Sequence, residues 1–469
     1  MPIRIYNSLR KTKEELKASD SRDKTIKMYC CGVTVYDECH IGHARSLYVF
    51  DMIRRYLQYR GFNVRFVRNI TDLDDKIITK AKETNQDWKE IIAQNIDSYH
   101  RDLKGLRIDR ADQEPRATEN IPDMVRDIEG LLAKGYAYEV DGDIYFSVRK
   151  FPGYGKLSGQ GIEKLEEAVR IEKDAKKKDP LDFALWKKSL PDEPSWPYWG
   201  GGRPGWHIEC SCMSLKYLNC QTLDIHAGGR DLIFPHHENE IAQSEALWGK
   251  PFARYWIHHG LLTINGQKMA KSTGNFITVG DCLKKYTADE LKMFFLFSHY
   301  ASGMDFTEKK MEEAQKALER FDILFWKAYD IMKGKNSLGP FAADFVQQAQ
   351  DRFLKAMDDD FNTPQALGCL FDLITLTNKF IEQEKDNQHY TGIIYNAVDT
   401  VESLAHEVFG LFSQEKEVAV TEEEQELLEE RKRARANKDF KRSDQIRGLL
   451  KQKGIVVEDT PAGQSWRKI

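Results

Sequence analysis

The chain has 469 residues, of which 41% are hydrophobic and 31% charged, and a formal net charge of -4. That length excludes one compact core, and the balance of charge excludes a uniformly basic nucleic-acid binder, so any RNA contact has to come from local patches. No apolar run reaches the roughly 18 residues of a membrane helix. The opening MPIRIYNSLRKTKEEL lacks the apolar core of a signal peptide, so a cytoplasmic protein with no membrane partner is expected. The eight cysteines, 30, 31, 39, 210, 212, 220, 282 and 369, then point to metal ligation or buried thiols in place of disulfides.

In chain order, residues 25–31 (TIKMYCC) read as a short buried strand ending at Gly32. Residues 44–60 carry Leu47, Phe50, Ile53 and Leu57 at helical spacing and stop at Gly61, and 62–71 read as a second strand. Strand, helix, strand predicts a parallel sheet with ligands at the carboxyl ends of its strands. Residues 112–199 change character, with a helix over 121–134, the strand-like YAYEVDGDIYFSV and the charged EKDAKKKDP, and read as an insertion. Sheet-like runs return at 223–226 and 255–264.

Thr287 and Glu290 form a capping box that starts a helix through Phe297, and 308–333 and 364–384 repeat amphipathic helical periods, with Pro364 expected at the first helical position. A polar linker at 413–420 precedes a second capping box, Thr421 and Glu424, a strongly charged helix and a small terminal domain ending GIVVEDTPAGQSWRKI.

Two short strings carry phosphate chemistry. In HIGH, His40 and His43 are three residues apart and share one face of a first helical turn, beside N–H groups that lack intrahelical acceptors. Such a helix end attracts anions, imidazoles can donate to phosphate oxygens, and Gly42 permits close approach of a ligand. In KMAKS, Lys268 and Lys271 lie in a loop of small residues between Gly266 and Gly274, and ammonium groups act on phosphates as point charges. Alone, HIGH is equally a pair of surface histidines, and KMAKS alone reads first as a solvated lysine loop.

A second constellation comprises Cys31, Cys210, His236 and Glu240. His236 and Glu240 are four apart and would project from one helical face, and two thiolates would complete four ligands of a kind that suits zinc. On the residues alone, Cys30, Cys212, His237 and Glu238 compete for those places.

HIGH and KMAKS in this order resemble the signature pair of class I aminoacyl-tRNA synthetases. The runs YCCGVTVYDECHIGHAR, VRNITDLDDK, GRPGWHIECS, GGRDLIFPHHENEIAQ, KMAKSTGNF, MDDDFNTPQAL and GIVVEDTPAGQSW resemble the bacterial cysteinyl-tRNA synthetases over essentially the whole chain. The family loop usually reads KMSKS, so Ala270 here removes one hydroxyl but neither ammonium.

The resemblance implies an α/β enzyme with a Rossmann-like parallel-sheet catalytic domain split by an insertion, followed by an α-helical bundle and a small anticodon-binding domain. The expected division is 1–111 and 200–264 for the catalytic halves, 112–199 for the insertion, 265–306 for the signature loop and stem-contact region, 307–412 for the bundle and 413–469 for the anticodon domain. It implies activation of L-cysteine with ATP and transfer to the 3' end of tRNA(Cys). His40, Gly42, His43, Lys268 and Lys271 would bind ATP. Cys31, Cys210, His236 and Glu240 would hold one Zn2+ per subunit, and Mg2+ would travel with ATP. Thr71, Trp206 and His226 would line the amino-acid pocket, and Arg435, Asp444 and Asp459 would read tRNA. A monomer is expected. Zinc would favour the thiol of cysteine over the hydroxyl of serine, which pocket shape alone rejects by only roughly 10²-fold. The basic run from Arg431 to Lys453, with Phe440 and Trp466, suits RNA contact, although such runs are often solvated helix faces. The rival readings are a ligase of the mycothiol-pathway type joining cysteine to an amino sugar, which should lack the terminal module, and a non-catalytic tRNA-binding paralogue.

Overall fold

The computed structural model describes residues 2–19, 23–161, 176–269, 274–333, 340–413, 422–437, 439–453, 455–460 and 463–468. Residues Met1–Phe412 and Ser413–Ile469 form two separate compact units.

The first unit is organised by four parallel strands: β1 (Thr25–Thr34), β2 (Asn63–Thr71), β3 (Leu223–Gly229) and β4 (Ala253–His259), in the order β4-β3-β1-β2. All four are largely buried, as expected where helices cover both faces of such a sheet. α1 (Ile41–Tyr59) crosses from β1 to β2, α2 (Trp206–Tyr217) precedes β3, and α3 (Glu238–Trp248) lies between β3 and β4. From β1 the chain continues to β2 on one side, while β3 lies on the other. The crevice at the carboxyl ends of β1 and β3 is thus the topological switch point, where ligands bind in sheets of this kind.

Three local expectations are revised. β1 does not end at Gly32 but runs to Thr34 through an irregular register between Cys30 and Val33. A Cβ on Gly32 would sit 1.7 Å from Asn69 O, and the Gly32 N–H donates to Asn69 Oδ1 at 2.8 Å, so only glycine lets β2 pass this closely. α1 starts at Ile41, ahead of the expected 44, because His40 caps it. The sheet-like run 255–264 breaks at Gly260, whose N–H turns to Tyr300 O. Beyond the break, β5 (Leu262–Ile264), β6 (Gln267–Lys268) and β7 (Met304–Phe306) form a separate small sheet, with α4 (Val279–Lys285) following β6.

Between β2 and α2, strands Ala137–Val140, Asp143–Phe146, Phe183–Lys188 and Gly202–Pro204 make an antiparallel sheet whose apolar cluster is shared with α2, α3 and one face of the parallel sheet. The Thr287–Glu290 capping box forms, and helices Glu308–Met332 and Thr363–Gln383 are joined by two that sequence periodicity missed, Asp344–Asp358 and Tyr390–Ser403. Asn362 caps the helix in which Pro364 lies.

In the second unit, helices Glu422–Ala436 and Phe440–Gln452 and a hairpin of Ile455–Thr460 with Gly463–Lys468 enclose Leu428, Ile446, Leu450, Ile455 and Val457. Asp439 breaks the expected single charged helix in two by capping the second. Thr421 of the second capping box lies outside the described residues.

Candidate active site and metal centre

The irregular register of β1 turns Cys31 toward α2, where Cys210 lies one turn from the helix start; the two Sγ atoms are 3.8 Å apart. From the β3–α3 connection His236 reaches Glu240, with Nε2 3.0 Å from Oε1, and the same oxygen lies 3.5 Å from Cys31 Sγ. Ligand atoms of Cys31, Cys210, His236 and Glu240 all fall within 4.8 Å of one another. Burial pushes the Cys210 thiol up, but the Cys31 thiol, which donates to it, and His236 outweigh that and hold it at about 6. Burial lowers His236, yet Glu240 and Cys210 raise it to about 10. Burial likewise works against the Glu240 carboxylate, and His226 and His236 hold it well below the usual range. Two anions and one imidazolium are therefore packed out of water, a charge pattern a dication satisfies better than a proton. The sulfur, nitrogen and carboxylate set is one that zinc accepts.

Most of the competitors are engaged elsewhere. Cys30 alternates to the other side of β1, near Arg68, and burial pushes its thiol up to about 11. Cys212 faces Asp127. Glu238 accepts N–H groups of Leu157 and Ser158 at 3.1 and 2.9 Å. His237 stays in the site: its Nε2 is 3.3 Å from Cys31 Sγ and its Nδ1 2.9 Å from His258 Nε2. Cys31, His226, His237 and Glu240 thus make a second group within ligand range. Sequence reading did not assign roles to His207, whose Nδ1 is 2.9 Å from that of His236, or to His258. Their signal was the histidine density of GWHIEC, PHHENE and WIHHG.

The pocket residues surround this cluster unequally. Trp206, 37% exposed at the start of α2, stacks on His236 at 4.1 Å. Thr71 ends β2, buried, with its hydroxyl accepting from Asn69 Nδ2 at 3.1 Å. His226 is fully buried in β3, stacked on Trp256 at 4.4 Å, and bonds Glu240 Oε2 through Nε2 at 2.7 Å. It orients a candidate ligand from beneath the pocket.

At the phosphate end the arrangement differs in one respect from the helix-terminus expectation. His40 Nδ1 accepts the N–H groups of Gly42 and His43 at 3.1 and 3.3 Å, and His43 Nδ1 accepts the His40 N–H at 3.3 Å. Those backbone donors are spent on capping. Both neutral rings must therefore carry their proton on Nε2, and they stack at 3.7 Å. Burial pushes His40 down to about 4 and His43 to about 3, so they are N–H donors near neutral pH, without positive charge. A Cβ on Gly42 would lie 3.5 Å from Met269 Cε, which places the two signature strings against each other. Phe276 meets the His40 ring edge-on at 5.4 Å. Lys268 is exposed on β6, its carbonyl accepting from Asn275 Nδ2 at 3.2 Å; Ala270 and Lys271 lie outside the described residues.

In the second unit the Arg435 guanidinium lies 5.8 Å from the Phe440 ring centre and Asp444 is exposed on the following helix. Asp459 pairs through its backbone register with Gln464, and its side chain lies outside the described set. The basic run is not one solvated face, since Arg431 is buried and Arg442 pairs with Glu430 at 2.7 Å.

Residues 17–316 match the family described as tRNA synthetases class I (C) catalytic domain, 352–413 the DALR domain, and 417–467 the cysteinyl-tRNA ligase anticodon binding domain. The cysteine-tRNA ligase of Thermodesulfovibrio yellowstonii is 47% identical over 487 residues, covering 99% of each chain. That of Persephonella marina is 47% identical over 490 residues, covering 100% of each. Among solved structures, Mycobacterium tuberculosis methionyl-tRNA synthetase in complex with methionyl-adenylate superposes with a TM-score of 0.66 at 16% identity, covering 83% of this chain and 92% of that one. At that identity the likeness concerns the fold.

Proposed function

Because this chain belongs to the cysteine-tRNA ligases, a family of class I aminoacyl-tRNA synthetases, we propose a division of labour among the residues gathered at its switch point. The enzyme activates L-cysteine with ATP to cysteinyl-adenylate and transfers the cysteinyl group to the 3' end of tRNA(Cys). The observation that carries the assignment of residues is the convergence of the Cys31, Cys210, His236 and Glu240 group with the His40 end of α1 at the carboxyl ends of β1 and β3.

The cysteine carboxylate attacks the α-phosphate of ATP, and pyrophosphate leaves. His40 and His43 donate Nε2–H groups to phosphate oxygens, while Lys268 and Lys271 supply positive charge as it develops on the leaving group. Cys31, Cys210, His236 and Glu240 would hold Zn2+, which when bound lowers the pKa of a coordinated thiol and so favours cysteine over serine. His226 orients Glu240 and Trp206 covers His236, so the pocket has a buried base and one partly exposed wall. Thr71 closes the pocket at the end of β2. Arg435, Asp444 and Asp459 are the proposed tRNA-reading residues. Mg2+ with ATP, one zinc per subunit, a monomeric state and a cytoplasmic location rest on the family alone. No helix among the described residues is long and apolar enough to cross a membrane. The six-part division of the chain given by the sequence is likewise proposed.

The decisive assay offers the protein cysteine, ATP, tRNA and an amino sugar. Charging of tRNA with no sugar product is expected, and a sugar product with uncharged tRNA would overturn the reading; cysteine-dependent pyrophosphate exchange that survives Lys271→Ala unchanged would overturn the role given to the lysine loop. The match of 417–467 to an anticodon binding domain supports the tRNA arm.

A further inference from the structure

Arg45 follows the HIGH string by two residues, yet its side chain does not face the phosphates. It is 1% exposed, and among the described residues no carboxylate pairs with it. Its guanidinium donates instead to four backbone carbonyls. Nη1 reaches Gly260 O at 2.9 Å and Leu261 O at 3.0 Å, and Nη2 reaches Tyr300 O at 3.3 Å and Ser302 O at 2.5 Å. A buried cation without a counter-ion is expensive, so four aligned carbonyl dipoles mark a junction the fold maintains at a cost.

That junction is where the chain leaves β4 and enters the small sheet carrying Lys268. Gly260 N–H donates to Tyr300 O at 2.9 Å and Met304 N–H to Leu261 O at 3.0 Å, so the segments feeding β5 and β7 are laced together under the guanidinium. β5 then pairs with β6 through Thr263 and Lys268. On the far side of the KMAKS string, Ile41 N–H donates to Ile277 O at 3.1 Å and Val279 N–H to Cys39 O at 2.8 Å. Both feet of the lysine-bearing segment thus stand on α1, one through Arg45 and one through the backbone beside His40.

We propose that Arg45 is a positioning residue that sets the β5–β6 hairpin, and with it Lys268, at the correct distance from His40 and His43. This rests on the reading that Lys268 acts on the phosphates. Arginine suits the task because its planar fork holds several acceptors at once in fixed directions, whereas a lysine ammonium has three donors and no fixed plane.

The test is a double-mutant cycle read by cysteine-dependent pyrophosphate exchange. Arg45→Lys keeps the charge and is expected to lower kcat by about 10-fold, since a shift of about 1 Å in a positioned group can cost 10²-fold, with the cysteine KM and the zinc content unchanged. In a Lys268→Ala background the same substitution should cost no more than about twofold, because the group it positions is gone. Hydrogen exchange should rise in 262–268 and 304–306 and not along α1. Equal losses in both backgrounds, no loss in either, or exchange rising throughout α1 would each overturn the proposal. If Arg45→Lys does not accumulate, Gly260→Ala loosens the same junction, because its Cβ would sit 2.2 Å from Ser302 O, and the same comparison decides. Failure of both to fold would assign Arg45 to stability alone and also overturn it. Should Lys268→Ala by itself leave exchange intact, the phosphate reading fails instead, which separates the two.

Discussion

Gly42→Ala separates what the start of α1 does for stability from what it does for chemistry. Gly42 lies inside the first turn, and an added Cβ would stand 2.9 Å from both Cε1 and Nδ1 of His40. Ordinary contacts are longer, so the ring has to yield by roughly half an ångström or more. Alanine is favoured over glycine in a helix by up to about 1 kcal/mol. Disturbing the cap that His40 Nδ1 gives to Gly42 and His43 costs about 1 kcal/mol. The two nearly cancel, and Tm should stay within about 3 °C of the parent, since 1 kcal/mol moves a domain of this size by only a few degrees. The displaced Nε2–H, by contrast, no longer meets its phosphate oxygen, and exchange should fall by about 10- to 100-fold. The assay pairs a thermal melt with cysteine-dependent pyrophosphate exchange at saturating cysteine. A stable variant with full exchange activity would refute the placement of His40 at the phosphates. A variant that loses both together would show that capping alone explains the residue.

The depressed values of His40 and His43, about 4 and about 3, predict that neither ring gains a proton between pH 8 and pH 5. The Cε1 protons of these rings should therefore not titrate near 6.5; because the unfolded rings do bind protons there, their contribution to stability is lost as pH falls from about 6.5 toward 4. Cys31→Ser, Cys210→Ser and His236→Asn should each strip zinc from the protein after gel filtration, while Cys30→Ser and Cys212→Ser retain it. Zinc content by elemental analysis decides, and retention in Cys210→Ser would shift the ligand set to the His226 and His237 group. A chain ending at Phe412 keeps the whole first unit. It should retain pyrophosphate exchange and lose charging of tRNA, and full charging without the second unit would remove the tRNA role proposed for it.

Patterns of period and order made the architecture readable before any coordinates. The βαβ start, the insertion and the return to sheet at 223 all follow from runs long enough for side-chain burial to dictate their spacing. At the site, HIGH and the His236, Glu240 spacing were readable for the same reason, since both depend on a single helical turn. What escaped depends on contacts between distant segments. Nothing near Gly32 announces Asn69, yet the approach of those two backbones turns Cys31 inward. The break at Gly260 depends on Tyr300, forty residues on. His40 looks like a phosphate ligand beside free helix amides, and only the geometry reveals that its Nδ1 consumes those amides and thereby sets which nitrogen is left to donate. Residues such as His237 and Arg45 differ from bystanders of the same type solely by what folds over them.

The contact between Gly32 and Asn69 also bears on how the pocket tolerates change. Adjacent cysteines give the chain two sulfurs, one on each side of β1, so a slip of one residue would still offer a thiol to Cys210. Composition at this position is thus nearly indifferent to such an error, and the choice between neighbours falls to the close backbone approach of Gly32 and Asn69. Which of the two sulfurs faces Cys210 is settled, in this molecule, at a place where there is room for a hydrogen atom and for nothing larger.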